Sequence, residues 1–165
     1  MEILNIMKTY KLTQKRSAHE IYSFESLLCN LTGVIVSLLL VSFFLIRRTF
    51  GWYQVLELRY FNILILFAGI HSALLSYRNR ISPEGIDYLK GLKMGLRISL
   101  TAIIPFAIFM GIYLKIDTNF MNYIIQNGEF GKYLTPGRAA GVVGFEGFVS
   151  GAIMTYIIMP YFKNK

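Results

Sequence analysis

The chain has 165 residues, enough for one domain. Hydrophobic residues make up 55% of it and charged residues only 16%, whereas an average soluble domain is about 25% charged. A soluble domain of this size could not bury so much apolar surface, which argues against a soluble enzyme. The net charge of +8 comes from short basic clusters between apolar runs, a pattern typical of membrane topology signals rather than of nucleic-acid binding.

Four apolar runs are long enough to cross a membrane as helices. They are Leu27–Ile46, Tyr60–Tyr77, Ile98–Leu114 and Ala139–Phe162. A helix of about 20 residues spans a hydrocarbon layer of roughly 30 Å, and none of the runs has the polar stripe of a soluble helix. We therefore predict an all-α integral membrane four-helix bundle, with spans at about 27–46, 58–77, 94–116 and 138–162. We expect residues 1–26 to be a cytoplasmic N-terminal segment and residues 27–165 to form the four-helix membrane domain.

The distribution of basic residues predicts the orientation. Eleven Lys and Arg residues lie before the first run, between the second and third runs, or after the fourth, and six lie in the other connections. Both termini are therefore expected in the cytoplasm. Segment 117–127 has apolar residues at helical spacing and ends at Asn127 and Gly128. We predict a short interfacial helix there, on the outer surface between spans 3 and 4.

Helix-start signals occur at two Ser-Pro or Thr-Pro pairs. Ser82 precedes Pro83 and Thr135 precedes Pro136, so each pair has an N-cap residue followed by proline at the first helical position. We predict that the third helix begins at the first pair and the fourth at the second.

Glycines are concentrated in the fourth run at spacings of three and four residues. This pattern places them on one helix face, where small residues allow another backbone to approach closely. The face is interpreted as helix packing within the bundle, with a seam for a second copy or another membrane protein as the alternative. Its residues are Gly137, Gly141, Gly144, Gly147 and Gly151.

Glu146 is the single charged residue of the fourth run. A carboxylate at that depth is energetically costly, so it is a candidate for function by default. On a helical wheel it lies opposite the glycine face, towards another neighbour, a water-filled cavity or a partner protein. The structural interpretation is an ion pair, for which Arg59 is the candidate counter-ion.

Two further polar groups lie near the other membrane surface. His71 is in the second run and Arg97 immediately precedes the third. A histidine can relay protons, although a neutral hydrogen-bonding role is commoner. With Glu146 and Arg59 they form the candidate intramembrane polar site. The sequence has no metal-ligand spacing, phosphate-binding loop or nucleophile motif, so we predict no catalytic residue, cofactor or metal.

From Glu57 onward, over roughly its last two-thirds, the chain resembles a family of small bacterial membrane proteins. The resemblance lies in ELRYFNILILFAGIHSALLSYRNR, IDYLKGLKMGLRISLTAII, IYLKIDTNFMNYIIQN and GFEGFVSGAIMTYIIMPYF. These segments together are similar to domain-of-unknown-function family 4199, known chiefly from Bacteroidota. The resemblance implies four membrane helices in a bacterial inner membrane, and it implies no catalytic residues because the family has no assigned activity.

Two functions are consistent with these patterns. The first is a non-enzymatic inner-membrane protein with an accessory, assembly or structural role, in contact with the bilayer and with itself or another membrane protein. The second is a small oligomeric transporter or ion-coupled carrier that uses Glu146.

Overall fold

The computed structural model describes the backbone of residues 2–51, 60–127 and 133–162, and side chains from residue 20 onward within these ranges. The described residues form five helices: α1 (Glu2–Thr49), α2 (Tyr60–Ile81), α3 (Tyr88–Ile116), α4 (Thr118–Asn127) and α5 (Pro136–Phe162). By length and composition, four helical segments in this part of the chain are able to cross a membrane, namely Glu20–Thr49 of α1 and the whole of α2, α3 and α5. The predicted all-α class with four candidate spans is therefore confirmed.

Helix α1 joins the predicted N-terminal segment to the first span without a break. It has 48 residues and a length of about 72 Å, more than twice the thickness of a hydrocarbon layer. No glycine or proline precedes Gly33, so no residue in the first half of the helix favours a break. The helix ends at Thr49 and is followed by Gly51, whose φ of 73° is a left-handed conformation that glycine adopts without strain.

Helix α3 occupies the centre of the bundle. It packs against α1 on one side and α5 on the other, while α2 bridges α1 and α5. Helices α1 and α3 run in the same direction, since Ser26 contacts Arg97 at one end and Arg48 contacts Asp117 at the other. The core contains large apolar side chains from all four spans. The most deeply buried include Leu40, Ile70, Leu74, Tyr77, Ile98, Leu114 and Met159.

The prediction that α3 begins at Ser82 and Pro83 is wrong. Helix α2 ends at Ile81, and Ser82 forms a turn in which its carbonyl accepts from the Gly85 N–H at 3.0 Å. Gly85 has a φ of 131°, which excludes a helix at this point. Helix α3 begins at Tyr88 instead, capped by Asp87, whose carboxylate accepts from the Lys90 N–H at 3.3 Å.

The other two predictions about helix ends agree with the structure. Helix α5 begins at Pro136, and the Thr135 hydroxyl oxygen accepts from the Arg138 N–H at 3.3 Å. Helix α4 covers the predicted short segment almost completely. At the other end of the bundle the Ile86 N–H donates to the Phe162 carbonyl at 2.7 Å, so the α2–α3 connection is fastened to the last described turn of α5.

Candidate functional site

The contact between α3 and α5 is an antiparallel seam of small residues. The seam takes every fourth residue of α3, and a Cβ added to Gly95 or Gly151 would overlap the side chain opposite. The two backbones therefore approach each other closely, as small residues allow in membrane helices. The facing pairs are Gly91 with Met159, Gly95 with Thr155, Ser99 with Gly151, Ile103 with Gly147, Ala107 with Gly144, and Gly111 with Ala140. We call these twelve residues the α3–α5 seam.

The hydroxyl groups of the seam are satisfied within their own helices. Ser99 donates to the Gly95 carbonyl at 2.9 Å, and Thr155 donates to the Gly151 carbonyl at 2.7 Å. Together with Ser37 they are the fully buried polar residues among those that the structure describes. The described interior therefore contains no buried charged side chain and no continuous row of polar groups.

Two of the five predicted face residues do not belong to the seam. Gly144, Gly147 and Gly151 pack against α3, but no described atom lies within 4 Å of a Cβ built on Gly137 or Gly141. Ala140, rather than Gly141, contacts α3. Successive residues of a helix are rotated by about 100°, so Gly141 points in another direction. Gly137 and Gly141 therefore lie beside the seam, on an open part of the α5 surface.

Glu146 lies on the exposed side of α5. The structure does not bury it inside the chain, although it does interact with other groups of the chain. Its exposed neighbours on the helix are apolar, with Phe145 72% and Val142 53% exposed. Arg59, the predicted counter-ion, lies outside the described residues. We call Gly137, Gly141, Val142, Phe145, Glu146 and Val149 the outward face of α5.

His71 and Arg97 contact different helices. The His71 ring stacks on Phe67 of its own helix at 6.1 Å and meets the edge of Phe162 of α5 at 5.4 Å, measured between ring centroids. Arg97 is half-buried, and its Nη2 donates to the Ser26 hydroxyl of α1 at 2.9 Å. Neither contact leads towards Glu146, so these interactions do not join the four predicted polar residues into one site.

An ionic cluster that the sequence patterns did not single out joins α1, α3 and α4. Arg48 donates from Nη2 to the Asp117 carboxylate at 2.7 Å and from Nε to the same oxygen at 3.1 Å. The Tyr113 hydroxyl donates to that oxygen at 3.1 Å, and the Arg48 guanidinium lies 5.3 Å from the Phe120 ring centroid. The signal in the sequence was the pair Arg47 and Arg48, which the predicted topology puts on the side expected to have fewer basic residues.

The charge state of Asp117 follows from these contacts. Its second carboxylate oxygen accepts from the Phe120 N–H at 2.9 Å, which caps the start of α4. This backbone hydrogen bond, followed by the hydrogen bond from Arg48, lowers the pKa of Asp117 below its ordinary value of 3.8. Asp117 is therefore ionised at neutral pH, and the cluster stabilises the connection between α3 and α4.

A second ion pair lies at the opposite end of the bundle. Lys90 of α3 is 3.2 Å from the Glu25 carboxylate of α1, and its Nζ lies 4.9 Å from the Tyr77 ring centroid of α2. The Lys90 charge is thus neutralised by a carboxylate, whereas Arg97, two turns further along α3, contacts a neutral hydroxyl.

The described residues contain no group of three or more His, Cys, Asp and Glu side chains able to hold a metal ion. No family model matches the chain, and no curated protein or solved structure matches it. The resemblance to family 4199 stays a prediction that depends on the segments quoted above.

Proposed function

We propose that this chain is a non-enzymatic accessory protein of a bacterial inner membrane, and that the outward face of α5 binds a membrane partner. The observation that carries the proposal is the division of α5 into two sides. One side packs into the α3–α5 seam, and the remaining surface presents two open glycines next to the seam and an exposed carboxylate further around the helix.

The depth of Glu146 supports a covered rather than a lipid-facing surface. Glu146 is ten residues beyond Pro136, or about 15 Å along the helix axis. A charged side chain at such a depth in a span is rare and typically faces protein or water. Gly141, five residues before Glu146, has open space above its Cα and allows a partner helix to approach the α5 backbone.

The membrane and the orientation are part of the same proposal. The bacterial inner membrane is taken from the family resemblance, and the cytoplasmic termini from the distribution of Lys and Arg residues. Helix α4, with buried Phe120 and Met121 on one side and exposed Asn119 and Asn122 on the other, would then lie at the outer surface. Reporter fusions after Lys165 and within residues 119–132 should lie on opposite sides of the membrane, and a common side would refute this topology.

Purification in mild detergent tests the partner-binding role. The wild-type chain should retain a stoichiometric companion, either a second copy or another membrane protein. Gly141→Leu should lose it because the added side chain fills the open space on the outward face. Ala68, a small residue on the exposed surface of α2, provides the matched control, and Ala68→Leu should keep the companion. Equal retention by both variants would contradict the proposal.

An oligomeric carrier is the second candidate, because the exposed position of Glu146 allows several copies to share a polar pathway. The described interior of one chain has no buried charge, so transport would have to pass between copies. Glu146→Gln separates the two candidates: a carrier keeps its stability and loses coupling. A structural ion pair with Arg59 predicts lower stability for Glu146→Gln and a non-additive double variant with Arg59→Gln.

A further inference from the structure

Arg97 is a half-buried cation without a carboxylate partner among the described residues. Its guanidinium has five N–H donors, and the structure uses Nη2 for a hydrogen bond to the neutral Ser26 hydroxyl. Lys90 on the same helix, by contrast, does have a carboxylate partner, because its Nζ lies 3.2 Å from the Glu25 carboxylate. Lys93, one turn before Arg97, is exposed and forms no ion pair with a described residue.

Arg97 and Ser26 lie at the same level of the bundle. Ser26 immediately precedes the apolar run of α1, and Arg97 immediately precedes that of α3. The hydrogen bond between them brings the starts of both runs within reach of one arginine side chain, near the expected boundary between hydrocarbon and headgroups. A lipid phosphate lies just outside such a boundary, at the height of Arg97 and Lys93.

We propose that the surface where α1 and α3 meet at this boundary binds the phosphate of an anionic phospholipid headgroup. Arg97 supplies its remaining N–H donors, and Lys93 supplies a second positive charge. Because the Ser26 oxygen accepts from Arg97, the Ser26 hydroxyl hydrogen is available to donate to a phosphate oxygen. Basic sites between membrane helices are recognised binding places for acidic headgroups.

The surface beyond this boundary is suited to acyl chains. Leu27 and Leu31 of α1 are 65% and 56% exposed, and Leu100 and Ile104 of α3 are 44% and 54% exposed. These residues follow Ser26 and Arg97 along their helices, so they lie nearer to the middle of the spans, at the depth of lipid tails. The apolar exposure separates this site from a site for free phosphate.

The test uses the full-length chain, purified in detergent and titrated with phosphatidylglycerol, phosphatidylcholine or inorganic phosphate. Native mass spectrometry counts bound lipid, and thermal unfolding reports stabilisation. Phosphatidylglycerol should bind and raise Tm, whereas phosphatidylcholine and inorganic phosphate should not. Arg97→Gln should weaken phosphatidylglycerol binding about tenfold, or ~1.4 kcal/mol, and Arg97→Lys should weaken it less.

Two further variants keep the proposal falsifiable if Arg97→Gln folds poorly. Lys93→Gln changes an exposed side chain, so it should fold normally and weaken binding severalfold. Arg80→Gln removes a charge at the same end of the bundle, from a side chain that lies over the Phe24 ring, and should bind as the wild type does. Unchanged binding by Lys93→Gln and Arg97→Lys, equal binding of phosphatidylcholine, or equal stabilisation by inorganic phosphate would each overturn the proposal.

Discussion

Arg48 at the end of α1 and Asp117 at the end of α3 form a salt bridge of 2.7 Å that connects three helices. Asp117 follows the last residue of α3 and also caps α4 through the Phe120 N–H. Arg48 therefore holds the carboxylate that determines where α3 ends and α4 begins. The side chains are 28% and 19% exposed, so water screens the pair only in part.

Removing either partner should destabilise this end of the bundle. We expect Arg48→Gln and Asp117→Asn each to lower the free energy of unfolding by about 1–2 kcal/mol. Each substitution removes a charged hydrogen-bond partner from the other, partly buried side chain. The double variant should lose less than the sum of the two, as residues in contact do. Thermal unfolding in detergent measures the stability of the two single variants and the double variant. Lys115→Gln, which removes an exposed cation from the last turn of α3, is the control. Strict additivity would contradict a direct interaction.

The same contacts predict a dependence on pH. Since the folded pKa of Asp117 lies below its ordinary value of 3.8, the unfolded chain binds its proton first as the pH falls. The stabilisation by Asp117 is complete above pH 3.8, the ordinary pKa. It is lost as the pH falls further and passes through the lower pKa of the folded chain. The difference in Tm between the wild type and Asp117→Asn should therefore be constant near neutrality and shrink in acid. A difference that persists unchanged to about pH 2 would contradict this assignment.

The two sides of α5 should respond differently to the same substitution. A Cβ on Gly147 would lie 2.5 Å from the Cδ1 atom of Ile103, whereas Gly141 has open space. Gly147→Leu should lower the free energy of unfolding by about 1–3 kcal/mol, because the larger side chain forces α3 and α5 apart. Compared in the absence of a bound companion, Gly141→Leu should leave Tm unchanged or slightly higher, since leucine favours a helix more than glycine does. Equal losses in the two variants would show that the α3–α5 seam is assigned incorrectly.

The sequence predicted the helices better than their contacts. Apolar runs and the Thr135–Pro136 pair locate the spans and the start of α5, because they depend on local composition and capping. The seam was harder to find, because on α3 the glycine spacing of Gly91 and Gly95 is not continued: Ser99, Ile103 and Ala107 take the next three positions. On α5, a spacing of three or four residues is compatible with neighbouring faces, and only the position of α3 decides between Ala140 and Gly141.

The candidate polar site was predicted least completely. Glu146 stands out in the sequence as a charge within an apolar run, but the sequence does not specify which surface it reaches. The Arg48–Asp117 pair and the Arg97–Ser26 hydrogen bond join residues about 70 positions apart, and no local pattern encodes such contacts. They follow from the contact between α1 and α3. The order of the spans makes these two helices parallel, but it does not determine that they are neighbours.

Site-specific photo-crosslinking tests the partner-binding role of α5 most directly. A photoreactive residue replaces Phe145 on the outward face of α5 or, as the matched control, Ile108 of α3, which is also apolar and exposed. We predict one protein adduct of defined mass from position 145, weakened by Gly141→Leu, and only lipid adducts from position 108. Lipid adducts alone at both positions would contradict the proposal that the outward face of α5 binds a membrane partner.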